Sequence, residues 1–222
     1  MSLTYRQIDD QTTVELFLDL FEKHINFRLP MAYANQGDVW AGFDKNGEMK
    51  SGFIIIKKPN FRSFLFVPDH VKEENEFFHN THHSDLVEFN GVWLEPSLRG
   101  TKESFFLWFK LLQETLRTRR PYMMCMWSSE NQGLNKLYQN FNPTILYKGA
   151  PNVIGNSSTH KQITVTYLTR ANLIKAFFPM SAVMLKKSLG LKVKKKQKLV
   201  SPDHLSTEPS SSISGKEALV ES

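Results

Sequence analysis

Apolar residues recur with two spacings along the middle of the chain, and their order predicts a strand, helix, strand, helix unit over residues 86–141. Residues 86–94 and 122–127 are short and almost continuously apolar, which is typical of buried strands. Residues 102–119 repeat apolar side chains at helical spacing. A shorter helix follows, with the spacing of a capping box at Ser129 and Gln132, and ends near Phe141. Strands joined through a helix usually lie parallel in one sheet, so we expect this unit to organise the fold.

A helix is also predicted near the N-terminus. Thr12 and Glu15 have the spacing of a capping box, in which two side chains bond the free N–H groups of a helix start. Apolar residues then recur at helical spacing as far as Ile25. We expect this helix to end near Phe27, because a residue that precedes a proline such as Pro30 disfavours helical geometry.

Further strands are predicted on both sides of the central unit. Residues 38–43 and 49–57 flank the turn-forming segment from Asp44 to Gly47, which predicts a hairpin. The other strands are expected at residues 61–67 (a strand or an edge segment), 144–147 and 162–169. Asn142 suits the left-handed end of the preceding helix, and the length of the polar loop 149–158 predicts that it is mobile.

The start of the long helix is the first candidate for chemistry. A helix N-terminus carries free N–H groups and a partial positive charge, which together favour phosphate. Arg99, Gly100 and Thr101 stand at this point, and Thr101 is expected to be the N-cap.

These motifs resemble those of the GNAT superfamily, the GCN5-related N-acetyltransferases. The first GNAT motif reads roughly V-x-P, followed by R-G-x-G-x-G/A. Leu94, Glu95 and Pro96 stand at the V-x-P, and residues 99–104 stand at the glycine loop. The second motif is an asparagine that begins the next helix, with a Leu-Tyr pair two turns later. Asn131, Leu137 and Tyr138 fit that pattern.

The resemblance implies a fold and a reaction. The expected fold is α/β, with a GNAT-like mixed central sheet flanked by helices over residues 1–170. The expected reaction moves an acyl group from acetyl-coenzyme A or another acyl-coenzyme A to the amine of a small molecule or a protein, without a metal. Glu88 would take the amine proton, since burial among apolar neighbours would raise its pKa, and Tyr138 would protonate the departing thiolate.

The resemblance also indicates which residues would contact the two substrates. The loop from residue 28 to residue 37 would line the acceptor site, with Tyr33 and Asn35 as its reactive members. The donor would be contacted by Trp93, Leu94, Arg99, Gly100, Thr101, Lys102, Ser104 and Asn131.

The glycine loop departs from the family pattern at two positions. Lys102 and Ser104 replace glycines that let the backbone approach the pyrophosphate of coenzyme A. A donor without a nucleotide, such as an acyl carrier protein, would need those glycines less. The alternative function is a catalytically inactive GNAT-fold structural or interaction protein, for example a phage virion component.

Composition narrows the class of protein. An apolar content of 41% and an aromatic content of 12% indicate a globular domain, with no apolar run long enough to span a bilayer. Cys125 is the single cysteine, so no internal disulfide forms, and it is expected to be a buried core thiol. With no apolar signal segment at the N-terminus, the cytoplasm is the expected compartment. The seventeen phenylalanines are compatible either with a long apolar acyl group or with a bulky core.

Three histidines cluster in a polar stretch, at His79, His82 and His83. A metal site needs ligands that are fixed in geometry and supported by a second layer of contacts. We therefore expect a solvated loop here.

Positive charge is concentrated after the predicted domain. The net charge is +6, yet residues 171–200 hold eight lysines and no acidic residue. We expect an apolar and basic helical extension over 171–198, and a disordered tail over 199–222. Such an extension packs on the domain or binds an anionic surface (lipid, acidic protein or nucleic acid) through the run from Lys186 to Lys198. A membrane-surface or nucleic-acid module is therefore a third functional hypothesis.

Overall fold

The computed structural model describes residues 2–152, 161–175 and 178. Among the described residues, seven strands and seven α-helices lie before residue 170, with 3₁₀ turns at His83–Asp85 and Pro96–Leu98, and residues 170–175 are again helical. The strands are β1 (Thr4–Ile8), β2 (Gly37–Phe43), β3 (Met49–Ile56), β4 (Leu86–Leu94), β5 (Tyr122–Ser128), β6 (Thr144–Gly149) and β7 (Ile163–Thr169). The helices are α1 (Gln11–Ile25), α2 (Met31–Ala34), α3 (Arg62–Leu65), α4 (Asp69–Glu74), α5 (Glu76–Asn80), α6 (Lys102–Arg117) and α7 (Gln132–Gln139).

All seven strands belong to one mixed sheet, in the order β1-β2-β3-β4-β5-β7-β6. Every neighbouring pair is antiparallel except β4 and β5, which are parallel. The predicted mixed sheet, with its parallel central pair and flanking helices, is therefore confirmed.

The sheet separates two apolar cores. On one face, α1 packs through Val14, Phe17, Leu18 and Phe21 against residues of β2, β3 and β4. On the other face, α6 packs through Leu107, Leu111 and Leu112 against Phe53, Val87 and Phe89, and Tyr138 of α7 joins the same cluster. Strand residues alternate between these cores because successive side chains of a strand point to opposite faces.

The segment between β3 and β4 differs from its prediction. Residues 61–67 were expected to form a strand or an edge segment, but α3 lies there and α4 and α5 follow it. The start of α3 is held from a distance, because the backbone N–H groups of Arg62 and Ser63 donate to the carboxylate of Glu88. A cap supplied from so far along the chain leaves no local signal.

Two predicted capping boxes are also wrong. The N-cap of α1 is Asp10, whose carboxylate accepts from Thr13 N at 2.8 Å, so α1 begins before the predicted Thr12. The N-cap of α7 is Asn131, which accepts from Leu134 N at 3.0 Å, where Ser129 was expected to begin a capping box. In both cases an Asp or Asn side chain provides the cap, as helix starts commonly do.

Other local expectations are confirmed. Asp44 accepts from the N–H groups of Asn46 and Glu48 and so closes the β2–β3 hairpin. Asn142 has a φ of 50°, the left-handed conformation expected at the helix end. Strand β1 was not predicted, because it is a short edge strand whose side chains are mostly exposed.

The C-terminal expectations lie largely outside the described residues. Residues 170–175 are helical, and the rest of the predicted extension and tail, together with most of loop 149–158, is not described. Within the described part of the chain, no helix has both the length and the apolar character needed to cross a membrane.

Candidate active site

The central feature of the candidate site is a separation between β4 and β5. The two strands pair only from Leu86 to Glu88, opposite Tyr122 to Met124. Beyond that point β4 pairs with β3 alone and β5 with β7 alone. The last part of β4 therefore has one edge without a strand partner, next to the diverging β5.

A bulge in β4 accompanies this separation. The register with β3 shifts between Gly52, which faces Trp93, and Ile54, which faces Asn90. Gly91 lies inside this shift with a φ of 60°, and a side chain there would meet Ile54 and Leu29 at 3.1–3.2 Å. The position needs glycine for both reasons, and bulges commonly bend a strand beside a functional site.

Glu88, the predicted base, lies at the point where the two strands separate. Its side chain is fully buried, and it faces the same side of the sheet as α1, α2 and α3. Its carboxylate accepts from Tyr33 Oη (2.7 Å), Arg62 N (2.8 Å) and Ser63 N (2.7 Å), and also from the Ser63 hydroxyl. Burial raises the pKa of Glu88, and the hydrogen bonds offset part of that rise.

Tyr33 connects Glu88 to the predicted acceptor loop. It lies on α2, is 8% exposed, and receives a hydrogen bond from Asn90 Nδ2 at 3.2 Å. Burial and the neighbouring Glu88 carboxylate raise the pKa of Tyr33. The phenol therefore stays protonated and donates a hydrogen bond to Glu88. Asn35, the other predicted member of this loop, is exposed and caps the C-terminus of α2.

Tyr138, the predicted acid, lies on the opposite face of the sheet. Its ring stacks on Trp127 with centroids 4.3 Å apart, and it also contacts Phe89 and Trp108. Burial raises the pKa of Tyr138 well above its ordinary value. No hydrogen bond to its hydroxyl occurs among residues 2–152 and 161–175. Glu88 and Tyr138 therefore approach the β4–β5 region from opposite sides.

The predicted glycine loop is exposed at the start of α6, with Thr101 as the N-cap. Two of its N–H groups are bound by hydroxyls of the chain itself. Gly100 N donates to Ser104 Oγ at 3.0 Å, and Glu103 N donates to Thr101 Oγ1 at 3.2 Å. Both hydroxyls in turn donate to the carbonyl of Leu98. The loop is thus partly closed upon itself at the positions where glycines are expected to receive pyrophosphate.

The charged side chains of the loop separate into two groups. Arg99 and Lys102 are exposed, whereas Glu103 is buried and accepts a hydrogen bond from Leu3 N at 3.3 Å. The acidic residue next to Lys102 therefore faces the interior. Two cations and the start of a long helix lie at the surface, a combination that attracts phosphate.

The other predicted donor contacts are divided between the faces of the sheet. Trp93 is buried on the α1 face, where it stacks on His24 with centroids 5.2 Å apart. Leu94 belongs to the α6 core. The side chain of Asn131 is engaged as the cap of α7. The Trp93 side chain therefore lies on the opposite face of the sheet from a donor bound beside α6 and would not contact it. The backbone of this end of β4 remains available to such a donor.

Two residues near the site carry no sequence signal. Arg62 donates its backbone N–H to Glu88, and its guanidinium packs over the rings of Phe27 and Phe66. His24 is packed between Trp93 and Glu95, with its Nε2 4.0 Å from a Glu95 oxygen. Each stands among other polar residues and belongs to no motif, so only the folded structure relates them to the site.

The remaining candidates have structural contacts. Cys125 is buried, burial raises the pKa of its thiol to about 12, and it contacts Thr166 Oγ1 at 3.1 Å, as expected of a core thiol. His79 bonds the Glu73 carbonyl, His82 bonds Ser84, and the ring of His83 stacks on Phe61. Among the residues that the structure describes, no group of three or more His, Cys, Asp or Glu side chains is arranged to hold a metal ion.

Solved structures share this fold, although no protein-family model and no curated protein sequence matches the chain. FeeM, an N-acyl amino acid synthase from uncultured soil microbes, superposes with a TM-score of 0.57 at 12% identity, over 79% of this chain and 97% of its own. An N-acetyltransferase from Staphylococcus aureus Mu50 gives 0.52 at 12% identity, over 77% and 99%. A GNAT family acetyltransferase from Elizabethkingia anophelis, with acetyl-CoA bound, gives 0.51 at 10% identity, over 76% and 98%.

The superposition covers nearly the whole length of each of these structures. The similarity therefore extends to the complete sheet with its helices. Sequence identity is too low to carry residue roles from one protein to another. What the similarity establishes is the architecture: this chain has the fold of the GNAT acetyltransferases.

Proposed function

We propose that this chain transfers an acyl group from a thioester donor, acetyl-coenzyme A or a longer acyl-coenzyme A, to the amine of an acceptor. The observation that carries the proposal is the unpaired end of β4, with the Tyr33–Glu88 pair on one face and Tyr138 on the other. An extended strand with free N–H and C=O groups binds another extended chain by β-type pairing. The pantetheine arm of coenzyme A, which contains two amide groups, is such a chain.

Tyr33 and Glu88 would together remove the amine proton. The amine donates its proton to Tyr33 Oη as it attacks the thioester carbonyl, and the phenol passes its own proton to Glu88 Oε2 at 2.7 Å. The proton thus ends on a carboxylate whose pKa burial has raised, which makes it a better base than an exposed glutamate. This relay explains how a fully buried Glu88 would serve an acceptor that it does not touch.

Tyr138 would act on the sulfur as the thioester breaks. A phenol whose pKa is raised gives up its proton reluctantly, so a hydrogen bond to the developing thiolate is favoured over complete transfer. The proton that finally neutralises the thiolate then comes from solvent. Tyr138 would thus act at the step expected from the family resemblance, but it would stabilise the departing thiolate with a hydrogen bond and would not protonate it fully.

The similar structures support this donor class. The Elizabethkingia anophelis protein holds acetyl-CoA, and FeeM is an N-acyl amino acid synthase, so the same fold serves more than one acyl transfer to nitrogen. In this chain Arg99 and Lys102 would meet the phosphates at the start of α6. An acyl carrier protein, which has no nucleotide, is the variant donor that the self-bonded loop of Gly100 and Ser104 favours.

The same loop also supports a second candidate function. If Thr101 and Ser104 close the phosphate site, the chain is a catalytically inactive GNAT-fold structural or interaction protein. The run from Lys186 to Lys198 lies outside the described residues. The anionic partner proposed for it would suit either function.

Thermal unfolding separates these candidates. We expect millimolar acetyl-coenzyme A or a longer acyl-coenzyme A to raise the melting temperature by several degrees, since ligand at about 100 times its Kd stabilises by about 2.7 kcal/mol. Release of free thiol on addition of amines would then establish turnover. No shift with either donor and no acylation from an acyl carrier protein would favour the inactive protein.

A further inference from the structure

Arg62 is an arginine in an unusual environment. It begins α3, and its side chain is only partly exposed. The centre of its guanidinium lies 4.4 Å from the ring centroid of Phe27 and 5.4 Å from that of Phe66. The two rings hold the planar group and leave its N–H edges to bind a partner, because stacking uses the faces of the guanidinium.

In the described part of the chain, no acceptor binds these N–H groups. The contrast with other arginines is clear: Arg28 is ion-paired to Glu15, Asp19 and Glu22, and Arg120 donates to two backbone carbonyls. A guanidinium carries five N–H donors, and a partly buried one without an acceptor is costly.

Glu88 is the acidic group that acts on Arg62, but it does not bind the guanidinium. Its oxygens already accept from Tyr33, from Ser63 and from the backbone N–H of Arg62. The hydroxyl of Tyr33 and the backbone of Arg62 donate to the same oxygen, Oε2, so the phenol and the base of the Arg62 side chain lie next to each other. A cation with free donors thus stands beside the proposed proton relay.

We infer that the acceptor is an amine that also carries a carboxylate, such as an amino acid, with its carboxylate bound by the Arg62 guanidinium and its amine beside Tyr33. The inference rests on the proposed function. A planar carboxylate matches the fork of a guanidinium with two parallel hydrogen bonds. Phe27 and Phe66 pack against the guanidinium and so limit the directions from which the carboxylate can approach.

The test compares acceptors that differ only in the carboxylate. Glycine with glycinamide, and phenylalanine with phenylalaninamide, would be assayed by thiol release from the donor that gives the larger thermal shift. We expect kcat/KM for each amino acid to be about tenfold or more above that for its amide. The reason is the free energy that a charge-assisted pair between guanidinium and carboxylate contributes. Amides that react as well as the amino acids would overturn the inference and leave the proposed function standing.

Variants then assign the preference to Arg62. We expect Arg62→Met to lower kcat/KM for the amino acids about 10- to 100-fold, mainly through KM, and to change the amides less than about twofold. Arg62→Lys keeps the charge and should retain part of the preference. Arg6→Met is the matched control, because Arg6 also stacks on a ring, 4.2 Å from Phe43, at the far edge of the sheet. An equal loss for acids and amides would mean that Arg62 only balances the charge of Glu88, which would overturn the inference.

A binding measurement keeps the inference testable if no thiol is released. We expect the amino acids alone, without donor, to raise the melting temperature of the native protein and of Arg6→Met, but not of Arg62→Met. That result together with no turnover would support the carboxylate site and reject the proposed acyl transfer. No rise in the native protein, also without turnover, would reject both.

Discussion

Tyr33 Oη lies 2.7 Å from Glu88 Oε2 and donates a hydrogen bond to it, although the two residues are 55 positions apart. One belongs to the loop expected to line the acceptor site and the other is the expected base. The hydrogen bond joins them into one unit, in which, under the proposed mechanism, the phenol would meet the acceptor and the buried carboxylate would take up the proton. This unit is the basis of the first prediction.

Replacing Tyr33 with phenylalanine should slow acyl transfer by about 100-fold, within the range that general base catalysis contributes. The ring would still pack, so the loss of free energy of unfolding should be about 1–2 kcal/mol, the value of one buried hydrogen bond. Steady-state kinetics and chemical denaturation would measure the two effects. Tyr5→Phe, which removes a phenol hydroxyl bonded to Ser51 Oγ on the edge strand β1, is the matched control and should leave kcat unchanged. A Tyr33→Phe enzyme with the native rate would remove the phenol from the relay.

Substitution of Glu88 should alter stability in a way that depends on pH. Burial raises the pKa of Glu88 above its unfolded value, 4.5. The contribution of Glu88 to the free energy of unfolding is therefore fully present at pH values below its unfolded pKa. That contribution is lost as the pH rises through the folded pKa. The difference in free energy of unfolding between Glu88→Gln and the native protein should move in favour of the variant from about pH 4 to pH 8.

Urea midpoints at several pH values would measure this difference, with Glu130→Gln as a control at an exposed position. Glu88→Ala should be much worse than Glu88→Gln at every pH, by at least about 3 kcal/mol, because it leaves the donors of Tyr33, Arg62 and Ser63 without an acceptor. A pH-independent difference between Glu88→Gln and the native protein would contradict the raised pKa.

Tyr138→Phe should separate activity from stability. The ring contacts with Trp127, Phe89 and Trp108 are preserved, so the free energy of unfolding should change by less than about 0.5 kcal/mol. If the hydroxyl stabilises the departing thiolate, kcat should fall about 100-fold with little change in the KM of the donor. A matched comparison of donor binding by thermal shift would verify that the site remains intact. Native kcat in this variant would assign the hydroxyl no part in the reaction.

Ser104→Ala should improve donor binding if the start of α6 is a weakened phosphate site. The substitution releases Gly100 N from its bond with Ser104 Oγ and makes that N–H available to a phosphate oxygen. We expect the Kd of coenzyme A to fall about tenfold, which corresponds to one added hydrogen bond to a charged group. Calorimetric titration would measure it, with Ser97→Ala in the neighbouring exposed turn as the control. No gain would indicate that the donor does not use this loop.

The parts of the fold that were predictable have local causes. The runs that became β4 and β5 are predominantly apolar, and the apolar spacing that became α6 is dictated by burial against the sheet. Glu88 was identifiable because a lone acidic residue within an apolar strand is conspicuous. Thr101 was identifiable because hydroxyl side chains cap helices.

The parts that were not predictable depend on contacts across the fold. Phe61 and Phe66 are buried, and their aromatic character favoured a strand, yet Glu88 caps the segment into α3. The orientation of Trp93 was not apparent, because the bulge at Gly91 alters the simple alternation along β4. Arg62 had no significance until the structure related it to Tyr33. Roles at the site depend on such distant pairs, and local patterns do not encode them.

The short pairing between β4 and β5 has a mechanical consequence. The sheet consists of a four-stranded antiparallel half and a three-stranded antiparallel half, joined by only three paired positions. Their relative stiffness must therefore come largely from the helices on each face, and amide protons at this junction should exchange faster than those within either half. A molecule bound along the free edge of β4 would connect the two halves of the sheet. Binding alone would then reduce the motion of one half relative to the other.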